Sequence, residues 1–267
     1  MNTRIAEKFQ KLKSQNRKAL ITYICAGDPD IQKTTAVMQS LVKNGADILE
    51  LGIAFSDPAA DGKTIQAANE RALARNVSFD DCLDVVREFR QTDTDTPIVL
   101  MGYLNSFERR GANIAFQQAK NSGADAVILV DCPIEALPDY EKSLQSAQLT
   151  PILLCSPTTS DERQAKIAEK AGGFIYFVSL RGITGREQAE VSDELVEQIA
   201  RLRAKTDLPI CIGFGIRDGE TAKKMANCAD GIIIGSAIVS RLYENQGEKM
   251  PEKIGEFIAE IRAAIDA

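Results

Sequence analysis

The apolar positions of this chain fall into short continuous runs separated by amphipathic stretches. The runs are 19–25 (ALITYIC), 47–53 (DILELGI), 97–101 (PIVLM), 125–130 (DAVILV), 151–155 (PILLC), 174–178 (FIYFV), 209–212 (PICI) and 231–234 (GIII). Apolar runs of this length, bounded by turn-forming residues, predict strands covered on both faces. Between them the spacing turns helical. Ala36, Val37, Leu41 and Val42 mark a helix over 31–44. A helical stretch follows from Thr64 to about Phe89, broken near Asn76, with Ser78 as a fresh N-cap. Further helical patterns cover 111–121, 135–148, 160–171, 192–204 and 218–227, and 236–245 and 251–265 finish the chain. An amphipathic helix with Ile5 and Phe9 on one side precedes the first strand.

Eight such strand-helix units predict a closed α/β (β/α)8 TIM barrel, a single domain over 1–267. It would carry an extra N-terminal helix and a short extra helix after strand eight. A doubly wound open sheet is the runner-up, weakened because no G-x-G-x-x-G follows the first strand.

One strand breaks the apolar pattern. In 47–53 the run is interrupted by Glu50, and a carboxylate inside a buried strand has its pKa raised toward that of a working acid or base. A turn, Ser56-Asp57-Pro58, follows, and then a second carboxylate, Asp61, just before Gly62. Two acids in unlike settings can divide acid and base roles. An equally open reading has Glu50 pointing outward into a salt bridge and Asp61 capping the helix near Thr64.

A barrel keeps its chemistry at the carboxyl ends of its strands. Those ends carry Asp28, Glu50, Asp61, Tyr103, Asn105, Asp131 and Tyr176, a ring of polar groups that could converge on one pocket. Gly213-Phe214-Gly215 follows strand seven, and Gly235-Ser236 follows strand eight and opens a helix. Close backbone approach and free N–H groups there predict a phosphate site, although glycine also simply closes loops. The loop after strand six, 180–191, is long and polar, with Gly182 and Gly185 flanking Ile183-Thr184. It reads as a lid over the barrel mouth, or else as a surface connection.

Composition narrows the chemistry. The 267 residues are 44% hydrophobic, with net charge −6 and a pI of about 5.0. No Lys/Arg run suggests nucleic acid. No segment approaches the roughly 20 apolar residues of a membrane span, and the N-terminus lacks a signal-peptide core, so a cytoplasmic protein is expected. The six cysteines are scattered, as buried reduced thiols would be. There is no histidine, which excludes Ser-His-Asp and Cys-His machinery and histidine metal ligands. No metal-binding cluster is visible. No lysine falls in a predicted strand, which disfavours an imine-forming aldolase.

The motifs LELG (49–52), FSDP (55–58), ADG (60–62), TIQ (64–66), GITG (182–185), GFGI (213–216) and GSAIV (235–239) occur in one order. Together they resemble the tryptophan synthase alpha subunit family, along essentially the whole chain. The resemblance implies retro-aldol cleavage of indole-3-glycerol phosphate to indole and glyceraldehyde 3-phosphate. It puts Glu50 at the general acid/base position and Asp61 at the carboxylate that takes the indole N–H. Tyr176 matches a tyrosine beside the acid, and Thr184 the lid threonine that reaches Asp61. Gly185, Gly215, Gly235 and Ser236 match phosphate-binding positions, and Tyr23, Met101, Leu154, Phe214 and Ile233 the indole pocket. A tryptophan synthase beta subunit is the implied partner, in an α2β2 heterotetramer, contacted by Asp57, Pro58, Asn105 and Pro133. No cofactor is expected in this chain, since pyridoxal phosphate would belong to the beta partner.

Some positions depart from the family pattern. Ala54 and Lys63 stand where the family commonly has proline, which predicts a more flexible 54–63 loop. Leu180-Arg181 also differs at the start of the lid. Two rival readings remain: another phosphosugar barrel, against which the paired Glu50 and Asp61 argue, and a catalytically idle activator of a beta subunit.

Overall fold

The computed structural model describes residues 3–178, 191–213 and 215–267. The predicted alternation is present. Strands β1 (Ala19–Cys25), β2 (Ile48–Gly52), β3 (Ile98–Gly102) and β4 (Ala126–Leu129) are followed by β5 (Thr150–Pro151), β6 (Leu153–Cys155), β7 (Ile175–Val178), β8 (Ile210–Gly213) and β9 (Gly231–Ile234). All nine pair in parallel in one sheet of order β5-β4-β3-β2-β1-β9-β8-β7-β6.

The fifth predicted strand proves to be divided, and its division closes the barrel. Thr150 and Pro151 pair with β4, whereas Leu153, Leu154 and Cys155 pair with β7. Pro151 has no N–H for the ladder, while its carbonyl accepts from the Gly172 N–H at 3.0 Å. The next residue, Ile152, donates back to Val127 O at 2.9 Å. The chain thus changes neighbours within one short strand, and the two ends of the sheet meet there.

Side chains alternate between the two sides of the sheet, as the pleat requires. Leu20, Leu49, Leu51, Leu100, Val127, Ile175, Phe177 and Ile212 pack outward against the surrounding helices. Ile21, Ile48, Val99, Ala126, Ile128, Ile152, Phe174, Cys211 and Ile233 point inward. Ile5, Phe9 and Leu12 of helix α1 (Thr3–Ser14) join that inner cluster, with the Phe9 and Phe174 rings 5.9 Å apart. The extra N-terminal helix therefore plugs the amino end of the barrel and leaves the carboxyl end for chemistry.

The amino end has a recurring device. Asp47, Asp125 and Asp230 each stand one residue before a strand. Each accepts the backbone N–H of a residue in the preceding strand, Leu20, Ile98 and Ile210 respectively, all at 2.9 Å. Arginines complete the sites: Arg262 on Asp47, Arg4 and Arg90 on Asp125, Arg203 on Asp230.

The helices keep close to their predicted limits. α2 (Ile31–Lys43) is capped by Asp30. α3 (Lys63–Ala74) and α4 (Phe79–Arg90) are separated near Asn76, at φ +59°, and Ser78 and Asp81 form a capping box at the start of α4. One short helix was not expected, α5 (Leu104–Glu108), whose first N–H is held by Asp131 Oδ1 at 2.6 Å. Helices α6 (Ala112–Ser122), α7 (Pro138–Ala147), α8 (Asp161–Lys170), α9 (Asp193–Arg203) and α10 (Gly219–Ala226) follow in turn. α11 (Ser236–Glu244) is the short extra helix after the last strand, and α12 (Met250–Asp266) ends the chain. Among the described residues no helix is long and apolar enough to cross a membrane. All six cysteines are free thiols, and Cys25, Cys82, Cys155 and Cys211 are buried.

Candidate active site

The pleat of β2 sends Ile48, Glu50 and Gly52 into the barrel. Glu50 is 1% exposed, and neither carboxyl oxygen has a hydrogen-bond partner among the described residues. The salt-bridge reading of Glu50 therefore fails. Burial, and secondarily the charge of Asp61, pushes its pKa up to about 8.

Asp61 lies in the loop between β2 and α3. It does not cap that helix, because the N-cap is Gly62 and makes no side-chain bond. Burial raises Asp61 to about 6, and a hydrogen bond from Tyr103 works against that rise. The Tyr103 hydroxyl donates to Asp61 Oδ2 at 3.0 Å and accepts from the Ala60 N–H at 3.0 Å. Its ring stacks on Phe55, with centroids 4.9 Å apart and planes at 17°. Asn69 and Gln66 of α3 hold the rest of the loop. Asn69 Oδ1 accepts from the Phe55 N–H at 2.8 Å, and Gln66 Nε2 donates to Asp61 O at 2.9 Å. These bonds anchor the 54–63 segment, which was expected to be more flexible, and Lys63 is the first residue of α3.

Two tyrosines complete the inner wall, and glycines make room for them. A Cβ on Gly52 would overlap the Tyr23 hydroxyl, and one on Gly213 would overlap the Tyr176 ring. Both phenols are pushed well above the usual tyrosine range, chiefly by burial and further by Glu50 and Asp61. Met101, Leu154 and Tyr176 are half-buried around the inner cluster, whereas Ile48, Val99 and Ile128 beneath them are fully buried. That gradient marks the mouth. A cleft there is lined by Tyr23, Ile53, Asp61, Asn69, Met101, Gly102, Tyr103 and Val130. A larger groove, of about 300 Å³ between Pro29, Lys33, Arg75 and Gly247, contains none of the candidate residues.

Of the expected indole-pocket positions, Tyr23, Met101, Leu154 and Ile233 converge on this mouth or the cluster below it. Gly235 is the N-cap of α11, with no side-chain cap, and Ser236 is exposed at the start of that helix. Gly215 is exposed, with φ +69°. Asp57, Asn105 and Pro133 are exposed and Pro58 half-buried, on the connections that follow β2, β3 and β4, with Asn105 in α5. Thr184, Gly185, Phe214 and the lid segment up to residue 190 lie outside the described residues.

The predicted polar ring is only partly real. Asp28 is held by Arg71 in a two-bond ion pair, at 2.7 and 2.8 Å. Asp131 is engaged with the Leu104 N–H, and Asn105 is solvent-exposed. Conversely, the loop anchor Asn69 carried no sequence signal beyond its helical position, and Gln66 was visible only as the end of the TIQ motif. Tyr103 was visible as a polar residue after the third strand, but its bond to Asp61 was not.

A buried carboxyl with no hydrogen-bond partner among the described residues, near a hydrogen-bonded, lower-pKa carboxylate, can protonate a substrate carbon with one group and hold positive charge with the other. A family model described as tryptophan synthase alpha chain matches residues 9–265. The tryptophan synthase alpha chain of Ralstonia nicotianae is 45% identical, covering 99% of this chain and 100% of its own length. That of Hydrogenovibrio crunogenus is 46% identical, covering 99% and 98%. Among solved structures, tryptophan synthase subunit alpha of Legionella pneumophila superposes with a TM-score of 0.91 at 44% identity, covering 100% of this chain and 99% of that one. A structure titled for mutual activation of the tryptophan synthase α2β2 complex of Pyrococcus furiosus gives 0.86 at 34% identity, covering 92% and 99%.

Proposed function

The chain belongs to the tryptophan synthase alpha chain family and is a lyase that cleaves indole-3-glycerol phosphate to indole, and we propose that Glu50 and Asp61 carry the reaction. Glu50 in its protonated form gives its proton to indole C3, which leaves an indoleninium with positive charge at N1. The Glu50 carboxylate then takes the proton of the C3′ hydroxyl as the C3–C3′ bond breaks. The bonding pair returns to the ring, an aldehyde forms at C3′, and Glu50 is again protonated. Asp61, ionised, accepts the N1–H and stabilises the charge that develops there. Tyr176 shapes the wall beside Glu50, and Thr184 would meet Asp61 from the lid.

The observation that carries this reading is the Glu50 carboxyl, buried inside the barrel with no hydrogen-bond donor to it among the described residues. A structural carboxylate would have been given partners.

The phosphate would sit against the α11 N-terminus at Gly235 and Ser236, with Gly215 and Gly185 opposite, where free N–H groups favour an anion. The indole would lie among Tyr23, Met101, Leu154, Phe214 and Ile233. The loops bearing Asp57, Pro58, Asn105 and Pro133 share one rim of the mouth and are the face offered to a beta subunit, in an α2β2 assembly in the cytoplasm. Pyridoxal phosphate would belong to that beta subunit and has no role in the steps above. The whole of 1–267 would act as one barrel domain.

The test is the pH dependence of indole release. Activity needs Asp61 ionised and Glu50 protonated, so kcat/KM should rise through about pH 6 and fall through about pH 8. A profile that keeps rising above pH 8.5 would remove Glu50 as the proton donor.

A further inference from the structure

We propose that Tyr103 is a positioning residue whose hydroxyl sets both the place and the charge of Asp61, and that Asp131 in turn sets Tyr103. The inference rests on the reading of Asp61 as the group that must be ionised to accept the indole N–H.

The geometry is a two-sided clamp. The single phenol oxygen accepts from the Ala60 N–H and donates to Asp61 Oδ2, both at 3.0 Å. Accepting a backbone N–H leaves the phenol proton directed at the carboxylate, so the bond favours the ionised form. The ring has little freedom to leave, because it is 5% exposed and stacked on Phe55. The residue that follows, Leu104, starts α5, and its N–H is held by Asp131 Oδ1 at 2.6 Å. Asp131 follows β4, so the clamp spans the loops after β2, β3 and β4. Those loops also carry Asp57, Asn105 and Pro133, and a partner docked on them would act on Asp61 through Tyr103.

The other ionisable groups near Asp61 cannot do this work. Tyr23 and Cys25 come from β1, Glu50 from β2 and Tyr176 from β7. Each lies near Asp61, yet burial and Tyr103 are what shift Asp61 itself. Tyr103 has its own pKa raised by burial and by Asp61, so it stays protonated throughout the working range.

The experiment follows the Asp61 carboxyl by carbon-13 NMR across pH in the full chain, with Tyr103→Phe and with a fluorinated tyrosine at position 103. Phenylalanine keeps the stack and removes the donor, and the Asp61 midpoint should rise by about one pH unit. The fluorinated phenol is a stronger donor, so the midpoint should fall. Asp131→Ala should give a smaller rise. The acid limb of kcat/KM should move with the midpoint. An Asp61 titration unchanged in both position-103 variants overturns the proposal. A titration that moves while the acid limb stays put leaves Tyr103 in control of Asp61 and overturns instead the catalytic reading of Asp61.

Discussion

At the amino end of the barrel Asp125 is fully buried and accepts from Arg4, Arg90 and the Ile98 N–H. At the carboxyl end Glu50 is almost as deeply buried and has no hydrogen-bond partner among the described residues. Both are carboxyl groups beside strands of one sheet. What differs is the supply of donors. Asp47 sits between these extremes: burial raises its pKa, and the Leu20 N–H and Arg262 work against that. Donors turn a buried carboxylate into a fixed joint between neighbouring strands. Withholding them leaves a carboxyl that keeps its proton near neutrality and can deliver it.

The sharpest way to break this comparison is at Glu50. Glu50→Gln keeps size and burial and removes only the transferable proton, so kcat should fall by about 10²–10⁴-fold with circular dichroism unchanged. Near-native turnover in the folded variant would return Glu50 to the structural class. The opposite result is expected at the amino end. Asp125→Ala removes the carboxylate shared by Arg4, Arg90 and the Ile98 N–H, and urea unfolding should show a loss of about 3–5 kcal/mol. Its folded fraction should still cleave substrate at the parent rate.

The same substitution of Glu50 has a stability consequence. The folded pKa is raised to about 8, so the folded state holds an extra proton between the ordinary glutamate range and that value. Stability linked to Glu50 is therefore complete at low pH and is lost as pH rises through about 8. Glu50→Gln should gain thermal stability relative to the parent as pH is raised from 5 to 9, by at most a few kcal/mol. A constant difference would mean that Glu50 is not buried as an acid.

Smaller effects probe the rim. Ser236→Asp adds a charge at an exposed helix start, which the helix itself tolerates. It should raise KM for the phosphorylated substrate by about tenfold, roughly 1.4 kcal/mol, while indole, which has no phosphate, binds as before. Equal loss for both ligands would move the phosphate elsewhere. Gly235→Val is a poorer probe, since its side chain would crowd Tyr23. The smallest change is expected from Asp57→Ala. Titration with beta subunit should show activation reduced by roughly threefold or less, as for an exposed charge, with the partner-free rate intact.

Much of the architecture was legible because hydrophobic periodicity is a local property. Apolar runs of strand length and amphipathic helices announce which faces are covered, and Ser78 announced the start of α4. Glu50 stood out for the same reason, as a charge where the pattern asks for an apolar residue. The recurrence of Ala-Asp before β2, β4 and β9, at Asp47, Asp125 and Asp230, was also present in the chain. Its meaning lay in N–H groups of Leu20, Ile98 and Ile210, each 20 to 27 residues away.

The sequence by itself determined the alternation of elements, the place of a carboxylate inside the second strand and the want of any histidine to share its task. Only the tertiary structure decided which carboxylates remain available. Asp28 and Asp131 follow strands just as Asp61 does, yet Arg71 engages the first and the Leu104 N–H the second. Asp61 instead meets Tyr103, 42 residues away. It likewise decided that 150–155 would divide between two neighbours and close the barrel. The physical reason is common to all of these. A side chain's type and spacing set how much it gains from burial. The donors it finds once buried come from other strands, whose positions no local pattern records.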